Sequence, residues 1–111
     1  MDSLPQYRDL IESVLIGHTR VPYAQGDIRF ETSFDRASDR YLLMIVGWEN
    51  GRRVHGCLAH VDIIDGKIWI QRDGTERGVA NELVAGGVSA DQIVLGFRSE
   101  RMREYTDFAV A

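Results

Sequence analysis

The chain has 111 residues and a mass of 12.6 kDa, which is room for one domain and for no second of ordinary size. Hydrophobic residues make up 44% and charged residues 27%, globular proportions that exclude a disordered or fibrous chain. Thirteen Lys and Arg against 17 Asp and Glu give a net charge of -4, which argues against a basic protein that coats DNA non-specifically.

Leu4, Tyr7, Ile11, Val14, Leu15 and His18 recur at helical spacing and predict one amphipathic helix. Ser3 is its expected N-cap, and Pro5 sits in the first turn, where a missing N–H costs nothing. Gly17 begins the end of the helix and Pro22 forbids its continuation. Ile28, Phe30, Thr32 and Phe34 alternate with Arg29, Glu31 and Ser33, the pattern of a half-buried strand. After the loop Asp35 to Arg40, a second strand runs from Tyr41 to Trp48. Asn50-Gly51 and Asp65-Gly66 are signals for type I′ turns. They bound a third strand, about Arg52 to Ile64, and open a fourth, Lys67 to Gln71.

Two-residue turns fix register, and register predicts faces. Around Asn50-Gly51, Val46 falls opposite His55, Met44 opposite Cys57 and Leu42 opposite Ala59. Around Asp65-Gly66, Ile63 falls opposite Ile68 and Val61 opposite Ile70. The expected core face is Leu42, Met44, Val46, Cys57, Ala59, Val61, Ile63, Ile68 and Ile70. The expected outer face is Tyr41, Leu43, Ile45, Leu58, His60, Asp62, Trp69 and Gln71, of mixed polarity.

Asp73 to Glu76 has the form of a capping box ahead of a second helix with Val79, Ala80, Leu83 and Val84 on one stripe. Gly86-Gly87 ends that helix. Ser89 to Gln92 predicts a single helical turn, and Ile93 to Phe97 a short strand or extended segment. Arg98 to Glu104 is polar and charged. The expected fold is α+β in one domain over residues 1–111: a helix, a four-stranded antiparallel meander, a second helix and a short C-terminal extended segment.

The chemistry of individual residues is sparse. On a strand, His60 and Asp62 share a face, where they can hydrogen-bond, orient a base or ligate a metal. A metal needs three or four such ligands, and the register sends His55 to the core edge, so a surface pair is expected. His18 stands at a helix end, where a cation meets the dipole favourably. Cys57, the single cysteine, removes any intramolecular disulfide and points to a reducing, cytoplasmic setting. The register places it among Met44, Ala59 and Leu42 as an inert core thiol. Asp35 and Asp39 are expected to solvate their loop. There is no Gly-x-Ser-x-Gly elbow, phosphate loop or dinucleotide fingerprint. No catalytic residue, metal or cofactor is expected.

The N-terminal residues Met1 to Pro5 lack the pattern of a signal peptide, and the longest apolar run, Tyr41 to Val46, is too short to span a bilayer, so a soluble protein is expected. Two basic clusters remain, Arg52-Arg53 and the trio Arg98, Arg101 and Arg103. Arginine forks match phosphates, although Glu49, Glu100 and Glu104 nearby also fit a solvated surface. Trp69 is either an exposed aromatic at a protein interface or a ring covered by the C-terminal segment or the first helix.

Several fragments together resemble a known family. They are Gly47-Trp48, Arg53-Val54-His55-Gly56-Cys57, His60-Val61-Asp62, Asp65 to Ile70, Val94-Leu95-Gly96-Phe97 and the ending Tyr105 to Ala111. Tyr7-Arg8 with Ile11 and Glu82-Leu83-Val84 fit as well. The combination, spanning essentially the whole chain, resembles XisI, the cyanobacterial family named as a controlling factor for excision of the fdxN DNA element. Members often carry His-Pro after the Gly-Phe. Arg98-Ser99 stands there in this chain, so nothing functional carries onto that loop.

The resemblance implies a process rather than a reaction. A separate site-specific recombinase performs the excision, and XisI looks like an accessory that acts with a companion, XisH, itself similar to endonuclease-like folds. No catalytic residues transfer. The expectation is a cytoplasmic, non-enzymatic regulator that binds an XisH-like protein through Trp69, Tyr41, His60 and Asp62 on the outer sheet face. The alternatives are direct DNA contact through Arg98, Arg101 and Arg103, or inhibition of a nuclease-like partner whose basic surface this acidic chain would mask. An uncovered, half-apolar sheet face also suits a homodimer.

Overall fold

The structure is a computed structural model and describes residues 3–20 and 27–111. Helix α1 spans Leu4–Thr19, followed by strands β1 (Asp27–Asp35), β2 (Arg40–Glu49), β3 (Arg52–Ile64) and β4 (Lys67–Asp73). Helix α2 (Val79–Ala85), a 3-10 turn at Ala90–Gln92, strand β5 (Ile93–Leu95) and the short helix α3 (Glu100–Arg103) complete the chain. Pro22, expected to stop the first helix, lies outside the described residues.

The strands form one five-stranded sheet in the order β1-β2-β3-β4-β5. The first four make the expected antiparallel meander, and β5 adds a fifth strand parallel to β4. Both tight turns have the chemistry their sequences predict. Asn50 and Gly51 have φ of 52° and 76°, Asp65 and Gly66 of 50° and 79°, all in the left-handed region that type I′ turns require.

Both helices pack on one face of the sheet. Ile11 and Leu15 from α1, with Val79 and Leu83 from α2, meet Tyr41, Leu43, Ala59, Val61, Ile68, Ile70 and Ile93 in one core, each of them fully buried. Helix entry differs from expectation in detail. Pro5 occupies the first turn of α1, but the Ser3 side chain makes no cap bond. Asp73 holds α2 from a distance: its Oδ2 accepts from Val79 N at 2.7 Å, while Oδ1 accepts from the Thr75 amide and hydroxyl. Gly78, not Asp73, is the N-cap residue.

The faces of β2 are inverted relative to the register argument. From Glu49↔Arg52 to Met44↔Cys57 the pairing follows the turn. Beyond that point β3 bulges at Leu58, so Leu43, not Leu42, pairs with Ala59 and Tyr41 pairs with Val61. One extra residue in one strand moves every later side chain to the other face. Tyr41 and Leu43 therefore belong to the core, whereas Leu42 and Met44 are partly exposed on the outer face. Cys57 and His55, expected at the core, also lie outside, His55 exposed. Ala59, Val61, Ile63, Ile68 and Ile70 occupy the core as expected, because the Asp65-Gly66 register holds from Ile64 to Val61.

Candidate functional site

The outer face of the sheet is built by four strands. Pairing sets Trp48 beside Arg53, Val46 beside His55, Met44 beside Cys57 and Leu42 beside His60. Asp62 lies between Arg40 on β2 and Trp69 on β4. The result is an apolar stripe along β2 flanked by polar side chains from β1 and β3.

His60 and Asp62 make the expected contact, with His60 Nε2 and Asp62 Oδ1 2.9 Å apart. Asp62 is also held by Gln71 Nε2, which donates to Oδ2 at 3.3 Å, and by Arg40 Nε at 3.7 Å. A second register shift, between His60 and Val61 on the β4 side, frees Gln71 from the regular ladder. Three side chains from β2, β3 and β4 thus converge on this carboxylate and tie the strand surface together. Among the described residues no group of three or more His, Cys, Asp and Glu is placed to hold a metal ion.

Of the expected partner-binding residues, the structure brings His60, Asp62 and Trp69 to one region and sends Tyr41 to the opposite face. Tyr41 is fully buried. Its hydroxyl donates to Asp39 Oδ1 at 2.9 Å, and Arg8 grips both oxygens of the same carboxylate from α1 at 2.7 and 3.1 Å. Burial, followed by the hydrogen bond to Asp39, pushes the Tyr41 phenol up to about 12. The Arg8 guanidinium is the main cause that holds the Asp39 carboxyl below its ordinary value. Asp39 is thus a clamp between α1 and β2 rather than a loop-solvating residue. Only its position two residues before an aromatic hinted at this.

Trp69 is half-buried, and Arg103 covers it. The guanidinium carbon lies 5.1 Å from the ring centroid, within cation–π range. Arg103 Nε donates to Leu95 O and Arg98 O, and Nη1 donates to Val110 O, at 3.0 to 3.2 Å. The C-terminal segment is pinned further by Ala109 N, which donates to Ile93 O at 2.8 Å. Arg103 is therefore committed to the fold. Arg98 lies over the Phe97 ring and Arg101 is exposed on α3, so the three arginines do not form one cluster of free cations. The exposed aromatic of the outer face is instead Trp48, 51% exposed, with the Arg53 guanidinium 5.3 Å from its ring centroid.

Cys57 is half-buried, and its Sγ donates to Ala59 O at 3.2 Å. Burial raises its pKa, which keeps it a thiol and a poor nucleophile. On the helical side, a groove of about 780 Å³ lies between α1, α2 and β1 to β3, floored by Val14, Phe30, Ile45 and Leu58. His18 and Glu82 bridge its wall at 2.8 Å. No helix among the described residues is long and apolar enough to cross a membrane.

Comparison with known proteins places these features in a family. No curated protein matches the chain. A crystal structure of a XisI-like protein from Anabaena variabilis is 37% identical, with a TM-score of 0.87 over 97% of this chain and 99% of that one. A second, described as the fdxN element excision controlling factor XisI from Anabaena variabilis, is 31% identical, with a TM-score of 0.79 over 99% of this chain and 100% of that one. The family model described as XisI protein matches residues 1–110, and the chain belongs to the XisI family.

Proposed function

We propose that this protein is a non-enzymatic controlling factor for excision of a DNA element, and that it works by binding an XisH-like protein through the outer face of its sheet. The observation that carries this reading is full-length similarity to a protein described as an fdxN element excision controlling factor. The chemistry of the face agrees with it. His60 and Asp62 hydrogen-bond to each other, with Gln71 on the same carboxylate, and among the described residues no nucleophile joins the contacts of that network. Burial raises the pKa of the half-buried Cys57 thiol. Trp48 with Arg53 at one end, and Met44 and Leu42 further along β2, offer aromatic, arginine and apolar groups, the types found in protein interfaces. The net charge of -4 suits a companion that carries a basic, nucleic-acid-facing surface. Direct DNA contact has less support, because Arg103 is occupied by backbone carbonyls.

The test is co-purification of the tagged protein with an XisH-like companion, with nuclease added. Trp48→Ala should weaken the complex by about tenfold or more, the size of an interface anchor. Its unfolding free energy should stay within about 0.5 kcal/mol, as for an exposed site. A complex indifferent to Trp48→Ala and His60→Ala moves the interface elsewhere. Failure of any complex to form ends the partner reading.

A further inference from the structure

The two edges of the sheet are finished differently. At one edge β5 is only three residues long, and Ala109 already bridges to Val94 on its outer side. At the other, β1 runs for nine residues, and among the described residues its only strand partner is β2. Its pairing is regular from Asp27↔Trp48 to Asp35↔Arg40. An edge of this length offers a row of backbone donors and acceptors to any other strand. Folded proteins usually blunt such an edge with proline, a bulge, a short strand, a covering segment or charged side chains. β1 has no proline, lysine or bulge.

What β1 carries instead is charge of alternating sign. Its outer-face side chains are Asp27, Arg29, Glu31, Ser33 and Asp35, all exposed. In the single copy Arg29 Nε donates to Glu31 Oε2 at 2.8 Å, an exposed pair that a second strand can exchange for cross-strand ones. We propose that β1 is a self-complementary edge that pairs antiparallel with β1 of a second copy about a two-fold axis, joining two five-stranded sheets into one. In an antiparallel pair, directly opposite residues share a face. An axis through Thr32 sets Arg29 opposite Asp35 of the second copy and Glu31 opposite its Ser33. An axis through Phe30 sets Arg29 opposite Glu31 and Asp27 opposite Ser33. Each pair occurs twice, because the interface is isologous. Axes through Glu31 or Ser33 set carboxylate against carboxylate. The charges therefore reject the bad registers and favour the good ones, which is what an edge built for its own copy requires.

A two-fold axis normal to the sheet keeps both helical layers on one side and both outer faces on the other. The dimer leaves the outer face clear for a different protein, so this inference stands apart from the partner reading above.

Sedimentation velocity on the full chain over a wide concentration range tests it. The unmodified protein is expected to show a monomer–dimer equilibrium. Ser33→Lys, opposite a carboxylate in either register, should tighten the dimer, and Ser33→Glu and Arg29→Glu should loosen it, each by about 2- to 30-fold for two charge pairs. Ser33 is exposed, so both of its variants should keep the native circular dichroism. Hydrogen exchange of the unmodified protein gives a reading free of substitution: β1 amides should gain protection as concentration rises, and β5 amides should not. A protein monomeric at every concentration overturns the proposal. So does a dimer that Ser33→Lys and Ser33→Glu shift in the same direction, or one that leaves β1 exchange unchanged.

Discussion

Leu42 and Leu43 are neighbours in one strand, yet they belong to different parts of the molecule. Leu43 is fully buried beneath the helices, and Leu42 is partly exposed on the outer face beside His60. The core face is closed by apolar packing and by the Arg8–Asp39–Tyr41 clamp that ties α1 to the sheet. The outer face is fixed by side-chain networks and by a C-terminal strap held by Arg103 and by the Ala109–Ile93 backbone bond. The contrast teaches that apolar packing closes one face, while the other stays partly exposed to solvent. Packing tolerates little change on the first, and side-chain hydrogen bonds organise the second.

The sharpest way to break the comparison is to truncate both leucines. Leu43→Ala should cost about 2–5 kcal/mol, the range for a buried leucine that leaves a cavity. Leu42→Ala should cost about 1 kcal/mol or less, because its site is already partly in water. Urea unfolding followed by circular dichroism measures both. Equal losses would mean that the bulge at Leu58 does not separate the faces.

A smaller effect is expected at the clamp. Asp39→Ala removes the acceptor that Arg8 and the Tyr41 hydroxyl share and should cost about 1–3 kcal/mol. The pH dependence sharpens the assignment. Asp39 has a lowered pKa, with the Arg8 hydrogen bond as its first cause. Its contribution is complete above the ordinary value of 3.8 and is lost as pH falls through the lower folded value. Tyr41 is raised from 10.0 to about 12, first by burial. Its contribution is complete below 10.0 and declines as pH rises through that window. Tyr41→Phe should flatten the alkaline limb of a stability–pH profile and reduce the acid limb only in part, because Arg8 is the first cause of the lowered Asp39 pKa. An unchanged alkaline limb would remove Tyr41 from the account.

The smallest global effect belongs to the strap. Arg103→Ala removes three hydrogen bonds to carbonyls and the stacking on Trp69, all at the rim of the fold. Global stability should fall by about 1 kcal/mol or less, as for partly exposed sites. Trp69 fluorescence and protease cleavage after Tyr105 should change far more. If the tail keeps its protection, Arg103 is not its pin.

Much of the fold was legible in the residues. Helix spacing in Leu4 to His18, strand alternation in Ile28 to Phe34, and the Asn-Gly and Asp-Gly turns each act over a few neighbours, so local chemistry decides them. The fragments from Gly47 to Ile70 and the ending Tyr105 to Ala111 also carried the family resemblance. Helix α3 and the strap were not legible, because four helical residues hardly exceed a turn and the strap depends on where Arg103 meets Leu95 and Val110.

The site was less legible for a single reason. A tight turn transmits register faithfully only until a bulge interrupts it, and Leu58 has no side-chain property that announces one. The bulge is favoured by packing: it lets Tyr41 and Leu43 enter the core with Ala59 and Val61, which depends on the helices above them. The sequence by itself determined α1, α2, the four meander strands, the two turns and the His60–Asp62 pair, because each follows from contacts near in the chain. Tertiary structure alone decided which face of β2 is buried, that Asp39 clamps a helix and that Arg103 covers Trp69. Those depend on groups far apart in sequence, whose meeting is settled only when the whole core closes.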